Sequence, residues 1–215
     1  MTTPDGKTDP SSKPPASEAP VSAAPAPSAE GLAATIKAAS KKGPPPVHLW
    51  NPPFCGDLDM RIARDGTWWY LGTPIGREAL VRLFSSILKR EGERYFLVTP
   101  VEKVGIQVDD APFVAVDFDL EGQGHDQSVT FTTQVGDTAR AGADHPIRVE
   151  RDAQTGEPSP YVLIRADLWA LIDRKSFYRL IDLCTHAPHQ GADWFGLWSG
   201  GRFFPILPSA ELDLS

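Results

Sequence analysis

The chain has 215 residues, 41% hydrophobic and 23% charged, which suits a globular body of one large domain or two small ones. Its net charge of −7 repels phosphate, and the doublets Lys41-Lys42 and Arg174-Lys175 never grow into a basic cluster, so a nucleic-acid partner is excluded. No apolar run nears the ~20 residues that span a bilayer, the polar N-terminus lacks a signal-peptide core, and two distant cysteines fit a reducing compartment; the expectation is a cytoplasmic protein with no membrane partner.

Residues 1 to about 30 are rich in Pro, Ala and Ser and hold almost no large apolar side chain. Such a segment buries too little surface to offset its ordering entropy, so a disordered tail is expected. Within the tail region, 1–46, the spacing of Leu32, Ile36 and Ala39 predicts a short helix over 31–42. Ser28 is placed to cap it, and Gly43 with Pro44-Pro45-Pro46 to stop it.

A first α+β unit is expected over 47–108. Leu58, Met60 and Ile62 alternate with Asp59 and Arg61, which predicts a half-buried strand. Asp65-Gly66 signals a type I′ hairpin, and Thr67 to Leu71 returns as its second strand. Pro74 opens a helix whose stripe is Leu80, Leu83, Phe84, Ile87 and Leu88, ending at Glu91-Gly92. Tyr95 to Thr99 and Val101 to Val108 follow as strands.

A second unit is expected over 109–215. Strands are predicted at Phe113–Leu120, Ser128–Val135, Ile147–Glu150 and Tyr161–Arg165. Gly122-Gln123-Gly124 lacks the third glycine and the helix of a dinucleotide fingerprint, and reads as a turn. Gly136 to Pro146 is read as a loop and Asp152 to Pro160 as a long turn. A helical pattern covers Asp167 to Cys184, with a phase shift near Ser176. Trp194–Trp198 and Arg202–Ile206 form a closing hairpin across Ser199-Gly200-Gly201.

Two segments echo one another. Met60 to Gly66 (MRIARDG) matches Ile147 to Ala153 (IRVERDA), and Ile75 to Phe84 matches Ile172 to Ile181. The predicted fold class is therefore α+β: two repeated small antiparallel sheets, each with a helix on one face, after the tail.

The strings WNPPFCGDLDMRI, DGTWWYLGTPIGREALVRLF, YFLVTPVEKVGIQVDDAPFVAVDF, FTTQVGDT, PYVLIRADLWALIDR and GLWSGGRFFPI run from Trp50 to Ile206. They resemble a bacterial family catalogued as domain of unknown function 1285. The resemblance implies a two-domain α+β arrangement with repeated motifs and a suggested role in signal transduction or ligand sensing. It carries over no catalytic residue.

Asp57, Asp59 and Arg61 fall at alternate strand positions and share one face. That face suits a polar ligand or cation, or else a local ion pair on an exposed strand. Trp68 and Trp69 are adjacent and must point to opposite faces, so one enters the core and the other can wall a groove. Arg77 and Arg174 lie near predicted helix N-termini, where an arginine helps hold an anion or pairs with a carboxylate such as Glu102. Cys55 follows Pro52-Pro53, with no histidine at a diagnostic spacing for nucleophilic catalysis. Cys184, His186 and His189 lack the second half of a zinc site and read as a structural loop. The ligand-binding candidates are thus Trp50, Cys55, Asp57, Asp59, Arg61, Trp69, Arg77 and Glu102; no catalytic residue, metal or cofactor is assigned. The expected function is a regulatory module that binds a small molecule or protein between the two units. The alternatives are an enzyme using an Asp/Arg-lined cleft, or a scaffold protein.

Overall fold

The computed structural model describes residues 27–39 and 45–212. The expected disordered tail, residues 1 to about 30, lies outside the described residues as far as residue 26. The predicted short helix is present as α1 (Ala29–Ala39). Ser28 caps it as its sequence position predicts, accepting the Gly31 N–H at Oγ (3.2 Å). Its stripe is fully buried at Leu32 and Ile36, which dock α1 into the hydrophobic core.

The first sheet is built from β1 (Phe54–Ile62), β2 (Trp68–Tyr70), β3 (Thr73–Pro74), β4 (Leu88–Glu91), β5 (Arg94–Val98) and β6 (Lys103–Val108). Its order is β3-β2-β1-β6-β5-β4. The first three strands meander outward from β1. The last three meander back and lay β6 parallel to β1. Leu58, Met60 and Ile62 point into the core, so Asp57, Asp59 and Arg61 face away from it.

The second sheet comprises β7 (Phe113–Glu121), β8 (Ser128–Thr133), β9 (Thr138–Arg140), β10 (Ile147–Arg151), β11 (Pro158–Arg165) and β12 (Leu168–Ile172). Its order is β10-β11-β12-β7-β8-β9, with β12 parallel to β7. The two six-stranded sheets therefore share one topology. A third sheet, β13 (Thr185–His189), β14 (Ala192–Ser199) and β15 (Arg202–Pro208), packs on the second unit. There Val129 N–H donates to the buried Ser199 Oγ (2.9 Å).

Several expectations are corrected. Neither six-stranded sheet is purely antiparallel, because each has a parallel central pair. The echo between 60–66 and 147–153 pairs the central strand β1 with the edge strand β10. By topology, β1 corresponds to β7 and β6 to β12. The short strings match because alternating basic and apolar residues suit any half-buried strand. The two helices of the echo also differ in place: α2 (Glu78–Ser85) joins β3 to β4, whereas α3 (Arg174–Ile181) follows β12.

Pro74 does not open α2; it pairs with Trp69 as an edge-strand residue, where a missing N–H is tolerated. Leu88 begins β4 rather than extending the helix. The Asp167–Cys184 pattern splits into β12 and α3, with Asp173 capping α3 by accepting Ser176 N–H (2.7 Å). The 136–146 loop contains β9, and Cys184 to His189 runs into β13. Asp65-Gly66 is not a type I′ pair. Gly66 N–H donates to Ala63 C=O and only Gly66 adopts positive φ, so the connection is a three-residue turn. The type I′ geometry occurs instead at Leu71-Gly72, between Tyr70 and Thr73, with φ of 48° and 70°.

The units are tied by side chains. Arg165 pairs with Asp137, donates to Ser85 C=O of the first unit (2.8 Å) and lies over the Phe113 ring. Arg64 reaches Asp110 (3.2 Å) and Ser159 (2.9 Å). Tyr161 donates to Asp110 (2.8 Å), and burial pushes its hydroxyl up to about 12. Among the described residues no helix is long and apolar enough to cross a membrane.

Candidate functional site

The outward face of β1 becomes a cleft because of local backbone irregularity. Gly56 adopts φ of 101°, which bulges the strand and puts Phe54 and Asp57 on one side. Between Asp57↔Gly105 and Arg61↔Gln107, β1 spends more residues than β6 and the ladder loosens. A cavity of about 620 Å³ opens over this junction. Its walls are Asp57, Asp59 and Arg61 of β1, Trp69 of β2, Arg94 of β5 and Gly105 and Gln107 of β6.

Both arginines are held from two sides. Arg61 lies over the Trp69 ring (5.6 Å) and its Nη1 pairs with Asp109 Oδ2 (2.6 Å). Arg94 lies over Phe54 (5.3 Å) and Phe96 (5.1 Å), and its Nη2 pairs with Asp57 Oδ1 (2.6 Å). A guanidinium stacked on a ring and fixed by a carboxylate loses little further freedom when it binds. The Asp59 carboxylate is exposed and has no hydrogen bond or ion pair among the described residues. The floor at Gly105 has no side chain. A Cβ there would collide with Asp57 Oδ1, so the glycine makes room for the carboxylate.

The adjacent tryptophans divide as their positions in a strand require. Trp68 is buried in the core, stacked on Phe84 (6.3 Å between ring centroids). Trp69 walls the cleft, and its buried indole N–H lacks an acceptor among the described residues.

Of the eight candidates, the structure brings together Asp57, Asp59, Arg61 and Trp69. The other four lie elsewhere. Trp50 is half-buried and packs against the hydrophobic core. Cys55 is exposed, its thiol near Pro53 C=O (3.5 Å). Arg77 occupies the N-cap of α2, exposed and without a capping bond. Glu102 sits in the β5–β6 turn, where partial burial pushes its carboxyl up. Arg77 and Glu102 form no ion pair among the described residues. The cleft also lies on one sheet of the first unit, not between the units.

Arg94, Gly105 and Gln107 escaped sequence reasoning because the parallel β1–β6 pairing is long-range. Gly105 did carry a signal: a lone glycine inside a strand pattern marks a close approach. Cys184, His186 and His189 do not converge. The Cys184 thiol, pushed up to about 12 by burial, donates to Leu180 C=O (3.2 Å), while His186 meets Ser209 Oγ (2.8 Å). Among the described residues no three His, Cys, Asp or Glu side chains gather as metal ligands.

Residues 45–206, most of the folded body but not α1, match one family. Residues 45–111 match its N-terminal domain, described as a domain of unknown function (DUF1285), and residues 112–206 match its C-terminal domain. The chain belongs to the DUF1285 family. A DUF1285 protein from Silicibacter pomeroyi DSS-3, solved at 2.50 Å, is 66% identical. The match covers 85% of this chain and 98% of the other, with a TM-score of 0.77. A DUF1285 protein from Shewanella baltica OS155 is 31% identical over 58% of this chain and 91% of its own, with a TM-score of 0.46. No curated protein matches.

Proposed function

We propose that this DUF1285 protein is a ligand-binding regulatory module of the bacterial cytoplasm, with a role in signal transduction, and that its site is the cleft on the first sheet. One observation carries the reading. Asp57, Asp59, Arg61, Trp69 and Arg94 converge on a concave space of about 620 Å³, within the size range of small-molecule sites. An aromatic wall with a few fixed polar groups is the usual composition of such a site. The free thiols of Cys55 and Cys184 suit a reducing compartment.

The test is a thermal-shift screen of a metabolite library against the wild-type chain and Trp69→Ala. At least one compound should raise the wild-type midpoint and fail to raise that of the variant. Compounds that stabilise both equally bind elsewhere and contradict this site.

A further inference from the structure

We infer that the cleft takes a zwitterion of the α-amino-acid class, with its ammonium on Asp59, its carboxylate on Arg61 and its side chain against Trp69. The inference rests on the cleft being the ligand site and adds the chemistry of the ligand.

The four charges lining the cavity, Asp57, Asp59, Arg61 and Arg94, cancel. Asp109, just outside the lining, is bound to Arg61, so the cleft keeps one uncompensated charge, the Asp59 carboxylate, which favours a ligand that carries an ammonium. Selection then depends on local arrangement. Two of the four groups already answer each other, since Arg94 holds Asp57. Asp59 has no partner among the described residues. Arg61 offers five N–H donors in a fixed fork, and Asp109 engages Nη1 alone. One open acceptor and one partly open donor fork therefore stand side by side.

Their placement on one strand face suits a ligand that carries both charges. Two positions apart on a strand, Asp59 and Arg61 project the same way from Cα positions about 6.6 Å apart. An α-amino acid carries its ammonium and carboxylate on a single carbon. Such a ligand can donate from its ammonium to Asp59 and accept at its carboxylate from the free Arg61 N–H groups, each through a charge-assisted hydrogen bond of about 2.8 Å. A ligand with only a carboxylate would meet the Asp59 charge without compensation. A ligand with only an ammonium would face the Arg61 fork. Trp69, whose ring lies under Arg61, then offers an apolar surface beside the charged pair.

Calorimetric titration of the full chain decides the matter. The probes are free α-amino acids, their N-acetylated and C-amidated forms, succinate, putrescine, adenosine and a small-molecule fraction of a cell extract. At least one free amino acid with an apolar side chain should bind, and both blocked forms should lose it. Asp59→Asn and Arg61→Gln should each weaken it about tenfold or more. If succinate, putrescine, adenosine or only the extract binds, and Trp69→Ala abolishes that binding, the zwitterion assignment falls while the site survives. If nothing binds, both fall.

Discussion

Asp57 and Gly105 are fitted to one another across the parallel junction of β1 and β6. The carboxylate occupies the space that any side chain at 105 would need, and it holds Arg94 while doing so. This contact sets the floor of the cleft.

Gly105→Ala tests that fit. Its backbone does not require glycine, since φ is not positive there. The added methyl displaces Asp57 Oδ1 and breaks the pair with Arg94. An exposed ion pair contributes ~0.5 kcal/mol, so the urea midpoint should barely move. Ligand binding should nevertheless weaken about tenfold. A variant that binds normally would separate the Asp57–Arg94 pair from the site.

Two glutamates should give opposite responses to pH. Hydrogen bonds from Lys103 (2.8 Å) and Lys89 (3.0 Å) hold the Glu91 carboxyl below its usual range. Its stabilisation is complete above the ordinary glutamate value and is lost as pH falls through the depressed folded one. Burial without a compensating partner raises Glu102. The folded state then holds the Glu102 proton more tightly, so stability declines as pH rises from the ordinary value through the raised one. Glu91→Gln should therefore lower the urea midpoint at pH ~7, and Glu102→Gln should raise it, with both effects fading toward pH ~3. Shifts of the same sign at neutral pH would contradict these assignments.

Helix α1 should be an integral part of the folded body. Leu32 and Ile36 are completely buried although a long proline-rich stretch surrounds them. Leu32→Ala should cost ~2–4 kcal/mol in denaturant unfolding, and Ser28→Ala ~1 kcal/mol through the lost cap. A Leu32→Ala variant of unchanged stability would show that α1 does not dock on the core in solution.

What the sequence makes legible is local. Alternation along β1 places Asp57, Asp59 and Arg61 on one face, and adjacency alone sends Trp68 and Trp69 to opposite faces. The N-cap at Ser28 and the hairpin at Gly200-Gly201 are equally local, and both are present. What fails is long-range. The pairing of β1 with β6 joins residues about fifty positions apart, so the contribution of Arg94 and Gln107 to the cleft leaves no periodic trace. The repeat misled for the same reason. Its string matches follow local strand composition, while its true form is a shared order of strand pairing. The Leu168–Ile172 segment shows the limit of apolar patterning, since a short continuous run before a helix fits either strand or helix.

The outward face of β1 is the proposed ligand site. Its most direct test is amide and indole NMR of the full chain, titrated with the amino acid that binds most tightly. Shifts should concentrate at Asp59, Arg61, Gly105, Gln107 and the Trp69 indole N–H. Shifts concentrated instead along the inter-unit contact of Asp110 and Tyr161 would contradict it.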